Sequence, residues 1–160
     1  AYIAQSQGRA DEARSYYQQV LRQEPGNPVA RSGLLSLGAV DDRESNASRA
    51  RDVAEQHPDS AAAQAALGHA LVRVDRLADA QLAFQRAHLL EPTVAQHAFN
   101  LAVALDRLRS YGPARQYYER TLALVAQSGA EGAGTVPLAV VRARLKELRL
   151  DSQASPDQAP

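Results

Sequence analysis

Four histidines and a few paired carboxylates are the residues of this chain whose types could do chemistry. His57, His69, His88 and His97 fail as a metal set on spacing. No two stand four residues apart on one helix, and no nearby carboxylate completes a ligand triad, so no zinc site is expected. The pairs Asp11-Glu12 and Asp41-Asp42 fall at expected helix starts, where negative charge favours the helix dipole. That placement accounts for them without acid–base catalysis. No serine sits in a nucleophile elbow with histidine and aspartate in order. The glycines Gly129, Gly132 and Gly134 lack the lysine and hydroxyl residue of a phosphate-binding loop. There is no cysteine, which excludes thiolate nucleophiles, thiolate metal ligation and disulfides. The chain reads as non-catalytic, with no metal and no cofactor.

Composition narrows the partners. The 160 residues suit one domain with ample chain for a core. Acidic and basic residues balance at 18 each, so no net field draws the chain to nucleic acid or anionic lipid. Every basic residue but Lys146 is arginine and alanine is abundant, which fits a GC-rich bacterial coding sequence and favours helix. No run approaches the roughly 18 to 20 apolar residues of a membrane span, so no membrane insertion is expected here. The chain starts without methionine and partway through a repeat. It reads as a fragment or processed form, with any anchor or signal upstream.

The elements that position these residues follow from an internal repeat. Ala13-Arg14-Ser15-Tyr16-Tyr17 returns as Ala114-Arg115-Gln116-Tyr117-Tyr118, and Ala80 and Phe84 stand one step before Ala114 and Tyr118. Pro25, Pro58 and Pro92 keep the same step. A step of about 34 residues is the signature of a helical-hairpin solenoid. Four repeats are predicted over 1–126, at about 1–26, 27–59, 60–92 and 93–126, giving seven or eight repeat helices. Residues 1–6 read as the end of a first helix, Gly8 as a turn and 11–23 as the second helix. Repeat two is the least regular, with Asn46 and Ala50 where other copies place alanine and an aromatic ring. Asp59 or Ser60 is the expected N-cap of repeat three.

Leu67, Gly68 and Leu71 recur as Leu101, Ala102 and Leu105. The small residues Gly68 and Ala102 are placed where the helices of each pair cross, opposite Ala80 and Ala114. The period then stops. Residues 127–136 read as a glycine-rich loop, 137–150 as a capping helix with Leu138, Val141, Leu145 and Leu148 in one stripe, and 151–160 as a disordered tail. A solenoid needs such a polar-backed helix to cover its last repeat. The rival, a basic helix lying on a membrane, is disfavoured by a narrow stripe without an aromatic anchor.

These residues resemble the tetratricopeptide repeat family. The likeness rests on Ala66-Leu67-Gly68-x-x-Leu71, Ala80, Phe84, Ala87 and Pro92, with Leu101, Ala102, Leu105, Ala114 and Tyr118 in parallel, and covers about 1–126. Gln64 and Ala98 depart from it, standing where the family often has tryptophan. The resemblance implies an all-α fold: a right-handed superhelix of antiparallel helix pairs whose first helices line a concave groove for a partner peptide or helix. Carried over position by position, that groove takes Ser32 and Ser36 from repeat two. Repeat three adds Ala65, His69, Val72 and Arg73, and repeat four adds Gln96, Phe99, Asn100, Val103 and Arg107. Asn100 matches a family asparagine that often hydrogen-bonds a ligand backbone. The lysines of the chaperone-binding carboxylate clamp are missing from the array. Phe99 and Val103 instead point to an apolar helix or extended segment, oriented by Arg73, Arg107 and Asn100.

The function expected is a protein-interaction scaffold or adaptor. The alternative is a regulatory or substrate-presenting domain of a larger enzyme. A narrower similarity of 98–106 to proteobacterial repeat proteins of pilus biogenesis and secretion implies an envelope assembly, periplasmic or anchored in the inner membrane upstream. The truncated first repeat, with Tyr16, Tyr17, Val20 and Leu21, predicts weak self-association.

Overall fold

The computed structural model describes the backbone of residues 2–132 and 134–154 and the side chains of residues 8–39, 41–129 and 134–152. Among the described residues there are seven helices and no strand: α1 (Tyr2–Gln23), α2 (Pro28–Gln56), α3 (Ala61–Arg73), α4 (Leu77–Leu90), α5 (Ala95–Arg107), α6 (Tyr111–Gly132) and α7 (Leu138–Ala154). The chain divides into two compact units, 1–48 and 49–160.

In the first unit, α1 stops at Pro25-Gly26. Asn27 then caps α2, its Oδ1 accepting the Ala30 N–H at 3.0 Å, with Pro28 as first helical residue. The Tyr17 ring lies directly on Gly33, where an added Cβ would stand 2.4 Å from ring carbons. Arg14 joins α1 to α2 by pairing with Asp41, and it also holds Asp11 at 2.9 Å.

Two expectations fail here. Gly8 does not turn the chain, because α1 runs through it as one helix. A lone glycine costs a helix about 1 kcal/mol without stopping it. Repeat two is not a helix pair either: α2 is continuous over 29 residues, and Asp41 and Asp42 lie inside it rather than at a start. No proline or turn sequence interrupts 39–56, and the aromatic ring that would clamp a hairpin is missing at Asn46 and Ala50. Six helices therefore precede α7, rather than seven or eight.

In the second unit each helix packs on the next, α3 on α4, α4 on α5, α5 on α6 and α6 on α7. Ser60 is the cap of α3, its Oγ accepting the Ala63 N–H at 3.1 Å. The turns after α3 and α5 are copies of each other. Asp75 and Arg109, one period apart, both adopt left-handed backbone, with φ of 59° and 61°. In each turn the next N–H reaches back along the helix, Arg76 to Leu71 and Ser110 to Leu105, both at 2.9 Å. This is the helix-closing pattern that glycine usually serves. Without glycine at either place, the sequence does not announce it.

The core of this unit is small residues interleaved with a few large ones: Ala80, Ala98, Ala102 and Ala114 are fully buried around Leu71, Phe84, Leu101 and Tyr118. Gly68 faces the Phe84 ring, and a Cβ there would stand 2.5 Å from ring carbons. Helix α6 continues past the expected boundary at 126 and breaks at Gly129, which has φ 71° and ψ −170°. Residues 151–154, expected in a disordered tail, are helical in α7, and 155–160 lie outside the described residues. No described helix is long and apolar enough to cross a membrane.

Candidate functional site

Of the expected groove residues, Ser32 and Ser36 belong to the first unit. Both are exposed on α2 and line a cavity of about 600 Å3 with Tyr17, Val29, Gly33 and Leu37. The Ser36 hydroxyl donates to the Ser32 carbonyl at 3.0 Å, so it is already engaged within its own helix.

The other nine lie in the second unit, on α3 and α5, with Ala65 and Val72 half-buried. His69 and Arg73 are exposed one turn apart on α3. On α5, Gln96, Phe99 and Val103 are half-buried, Arg107 is exposed and Asn100 is 6% exposed. A directed chain of hydrogen bonds joins the two helices. The Thr135 hydroxyl donates to Gln96 Oε1 at 2.9 Å, and Gln96 Nε2 donates to Asn100 Oδ1 at 3.0 Å. Asn100 Nδ2 then lies 3.3 Å from His69 Nε2. An amide nitrogen only donates, so Nε2 accepts and the proton of neutral His69 sits on Nδ1. Burial, then the nearby Arg73 charge, hold the His69 pKa below its ordinary value and keep it in that form. Its ring also meets the Phe84 ring edge-on, with centroids 5.0 Å apart.

Asn100 is thus nearly buried between Gln96 and His69. Its amide orients His69 across the α3–α5 junction, with both ends engaged internally. The surface left to a partner is Arg73, His69, Arg107 and the open edges of Phe99 and Val103. Arg73 and Arg107 are equivalent residues of successive repeats, and neither has an ion pair among the described residues.

Helix α7 brings a polar cluster that sequence reasoning missed. Arg144 of α7 grips the Asp106 carboxylate at the end of α5 with Nε and Nη2, both at 2.8 Å. Tyr118 of α6 donates its hydroxyl to the same carboxylate at 3.0 Å. The Arg144 hydrogen bonds, followed by that of Tyr118, hold the Asp106 pKa below the usual carboxylate range despite burial. Burial, then the Asp106 charge, push the Tyr118 pKa up. Nothing in one sequence pairs residues so far apart in this way. The expected apolar stripe of α7 does face inward, with Val141, Leu145 and Leu148 buried and Leu138 half-buried against the core. Arg149 meets Glu119 and Ser152 meets Arg115, so α7 runs antiparallel to α6, as the first helix of a further repeat would.

Among the described residues no group of three or more His, Cys, Asp or Glu side chains is arranged to hold a metal ion. His97 Nε2 lies 3.0 Å from Glu91 Oε2, and its buried Nδ1, like that of His88, has no partner.

The family model for the tetratricopeptide repeat matches residues 1–27. Solved structures extend the likeness. A tetratricopeptide repeat protein from Parabacteroides merdae ATCC 43184 superposes with a TM-score of 0.54 at 16% identity, over 96% of this chain and 59% of that one. The Sgt2 TPR domain from Aspergillus fumigatus gives 0.51 at 13% identity, over 95% and 87% of the two chains. The structure MamA MSR-1 C2 gives 0.51 at 21% identity, over 78% and 72%. The fold is an all-α, tetratricopeptide-like solenoid. At these identities the likeness speaks for fold alone. No curated protein matches the chain in sequence.

Proposed function

We propose that this chain is a non-catalytic adaptor, and that the α3–α5 face docks a segment of another protein. The observation that carries this reading is the pair of unpaired guanidinium groups, Arg73 and Arg107, repeated one period apart beside the half-buried Phe99 and Val103. Such a face offers carboxylates two fixed anchors and offers apolar side chains a shallow seat. The neutral His69 Nδ1–H adds a donor one turn before Arg73. An envelope pilus or secretion assembly is the setting this reading favours, on the similarity of 98–106 alone.

The test is a photo-crosslinker placed at Val103, with one at the exposed Leu82 as control. The captured polypeptide is then titrated calorimetrically against the wild type and Arg73→Glu/Arg107→Glu. Capture from Val103 only, with affinity lowered at least about tenfold by the charge reversal, supports the reading. Equal capture at both positions, or wild-type affinity in the folded variant, removes this face from consideration.

The first unit carries a second reading, weak self-association. Tyr16, Val29 and Leu35 keep 64%, 70% and 76% of their surface exposed, apolar surface that a helix pair alone does not bury. Sedimentation velocity across a concentration series should show a rise in mass that Leu35→Ser reduces. A concentration-independent monomer counts against it.

A further inference from the structure

Beside its buried stripe, α7 carries Arg142, Leu145, Lys146, Arg149 and Leu150 at helical spacing along one side. With Leu122 of α6 they line a cleft of about 280 Å3. The floor is apolar: Leu145 is buried, Leu122 half-buried, and Leu150 leaves 56% of its surface to solvent. The α7 wall is cationic. Arg142 and Lys146, one turn apart, are exposed and have no ion pair or side-chain hydrogen bond among the described residues. Arg149 alone is partly neutralised, by Glu119 Oε1 at 3.1 Å. Glu147, the acid on this stretch of α7, is turned to Arg144 at 2.7 Å.

In a chain of zero net charge, two unpaired cations bordering exposed leucine are a local concentration that the fold does not use. The geometry points to this cleft as a second docking site, for an acidic amphipathic helix of another protein. Two antiparallel helices form the walls, and a third helix packs along such a groove with its ridges between theirs. Its apolar residues at i and i+3 or i+4 would cover Leu122, Leu145 and Leu150. Carboxylates one turn apart on the same helix would meet Arg142 and Lys146. A lipid surface fits less well. Val140, at 61%, is the other large exposed apolar residue of α7, and with Leu150 it gives a bilayer only two such side chains and no aromatic anchor. This site is independent of the α3–α5 face.

The experiment uses a labelled synthetic helix with leucines at i, i+3 and i+7 and glutamates one turn apart beside them. Fluorescence anisotropy follows its binding to the whole chain at low and high salt. Saturable binding is expected, weakened at least about tenfold by Arg142→Glu/Lys146→Glu, by glutamine in place of the peptide glutamates, and by salt. Leu150→Ser should weaken it too, and Arg73→Glu/Arg107→Glu should leave it unchanged. Circular dichroism checks that each variant keeps its helix content. Absence of saturable binding, or equal binding by Arg142→Glu/Lys146→Glu, overturns the proposal. So does loss in Arg73→Glu/Arg107→Glu, which moves the peptide to the other face. Cosedimentation with anionic phosphatidylglycerol vesicles without peptide binding overturns it in favour of lipid.

Discussion

The same repeat frame is written into both units, yet they are held together differently. Tyr17 and Phe84 occupy equivalent frame positions, and each ring lies on a glycine, Gly33 and Gly68. Phe84 is 3% exposed and belongs to a continuous core, whereas Tyr17 lines an open cavity and is only half-buried. The large apolar side chains of the second unit are mostly inside. Among the described ones of the first, none is fully buried: Tyr16, Val29 and Leu35 are exposed, and Tyr17, Val20, Leu21, Leu34 and Leu37 are half-buried. A repeat helix has two apolar sides and can bury both only between neighbours. Frame alone therefore does not confer stability.

The sharpest way to break this comparison is to remove each ring. Phe84→Ala should cost the second unit about 3–5 kcal/mol, and Tyr17→Ala about 1 kcal/mol or less. Denaturant unfolding followed by circular dichroism reads both, and similar losses would erase the distinction. Overpacking comes next. Gly68→Leu should destabilise by about 1–3 kcal/mol, because Phe84 has no room to move. Gly33→Leu should cost less, since Tyr17 can swing toward solvent. An unchanged midpoint for Gly68→Leu would contradict the close approach.

Charge should follow the same order. Arg144→Ala leaves the Asp106 carboxylate, only 14% exposed, with Tyr118 as its sole donor among the described residues and loosens α7, at about 1–3 kcal/mol. Arg14→Ala, which removes an exposed pair with Asp41, should cost under about 1 kcal/mol. Amide hydrogen exchange would locate the first effect in 138–152.

The smallest effect is a pH dependence confined to one unit. Burial, then Arg120 and His97, hold the His88 pKa below 6.5, and burial, then Arg73, do the same for His69. The folded state therefore takes up protons less readily than the unfolded chain. Stability is full above pH 6.5 and declines as pH falls below it. Residues 1–48 contain no histidine, so their unfolding should not change between pH 7 and about 5.5 for this reason. His88→Gln should flatten the dependence in the second unit.

Legibility in the sequence tracked these differences. Ser60 at the start of α3 and the stripe of α7 were readable because a cap and an amphipathic face depend on residues within one or two turns. The helix pair expected in repeat two was misread for the complementary reason. Its frame survives in spacing, but no proline, turn or aromatic clamp remains between 39 and 56 to fold the chain back. Among the groove residues, positions on α3 and α5 followed from the period. Their contacts did not: the bridge that Asn100 makes between Gln96 and His69 spans two helices.

Helix content, the repeat period, and the apolar and polar sides of each helix were determined by the sequence alone, since these arise from neighbours three and four residues apart and from their recurrence along the chain. Tertiary structure decided which charges are neutralised and which are left open. Asp106 is matched to Arg144 because α7 docks where it does against α5 and α6, while among the described residues Arg73, Arg107, Arg142 and Lys146 have no ion pair. Ion pairing needs two side chains within a few ångströms, and separation along the chain carries no information about that distance until the helices have packed.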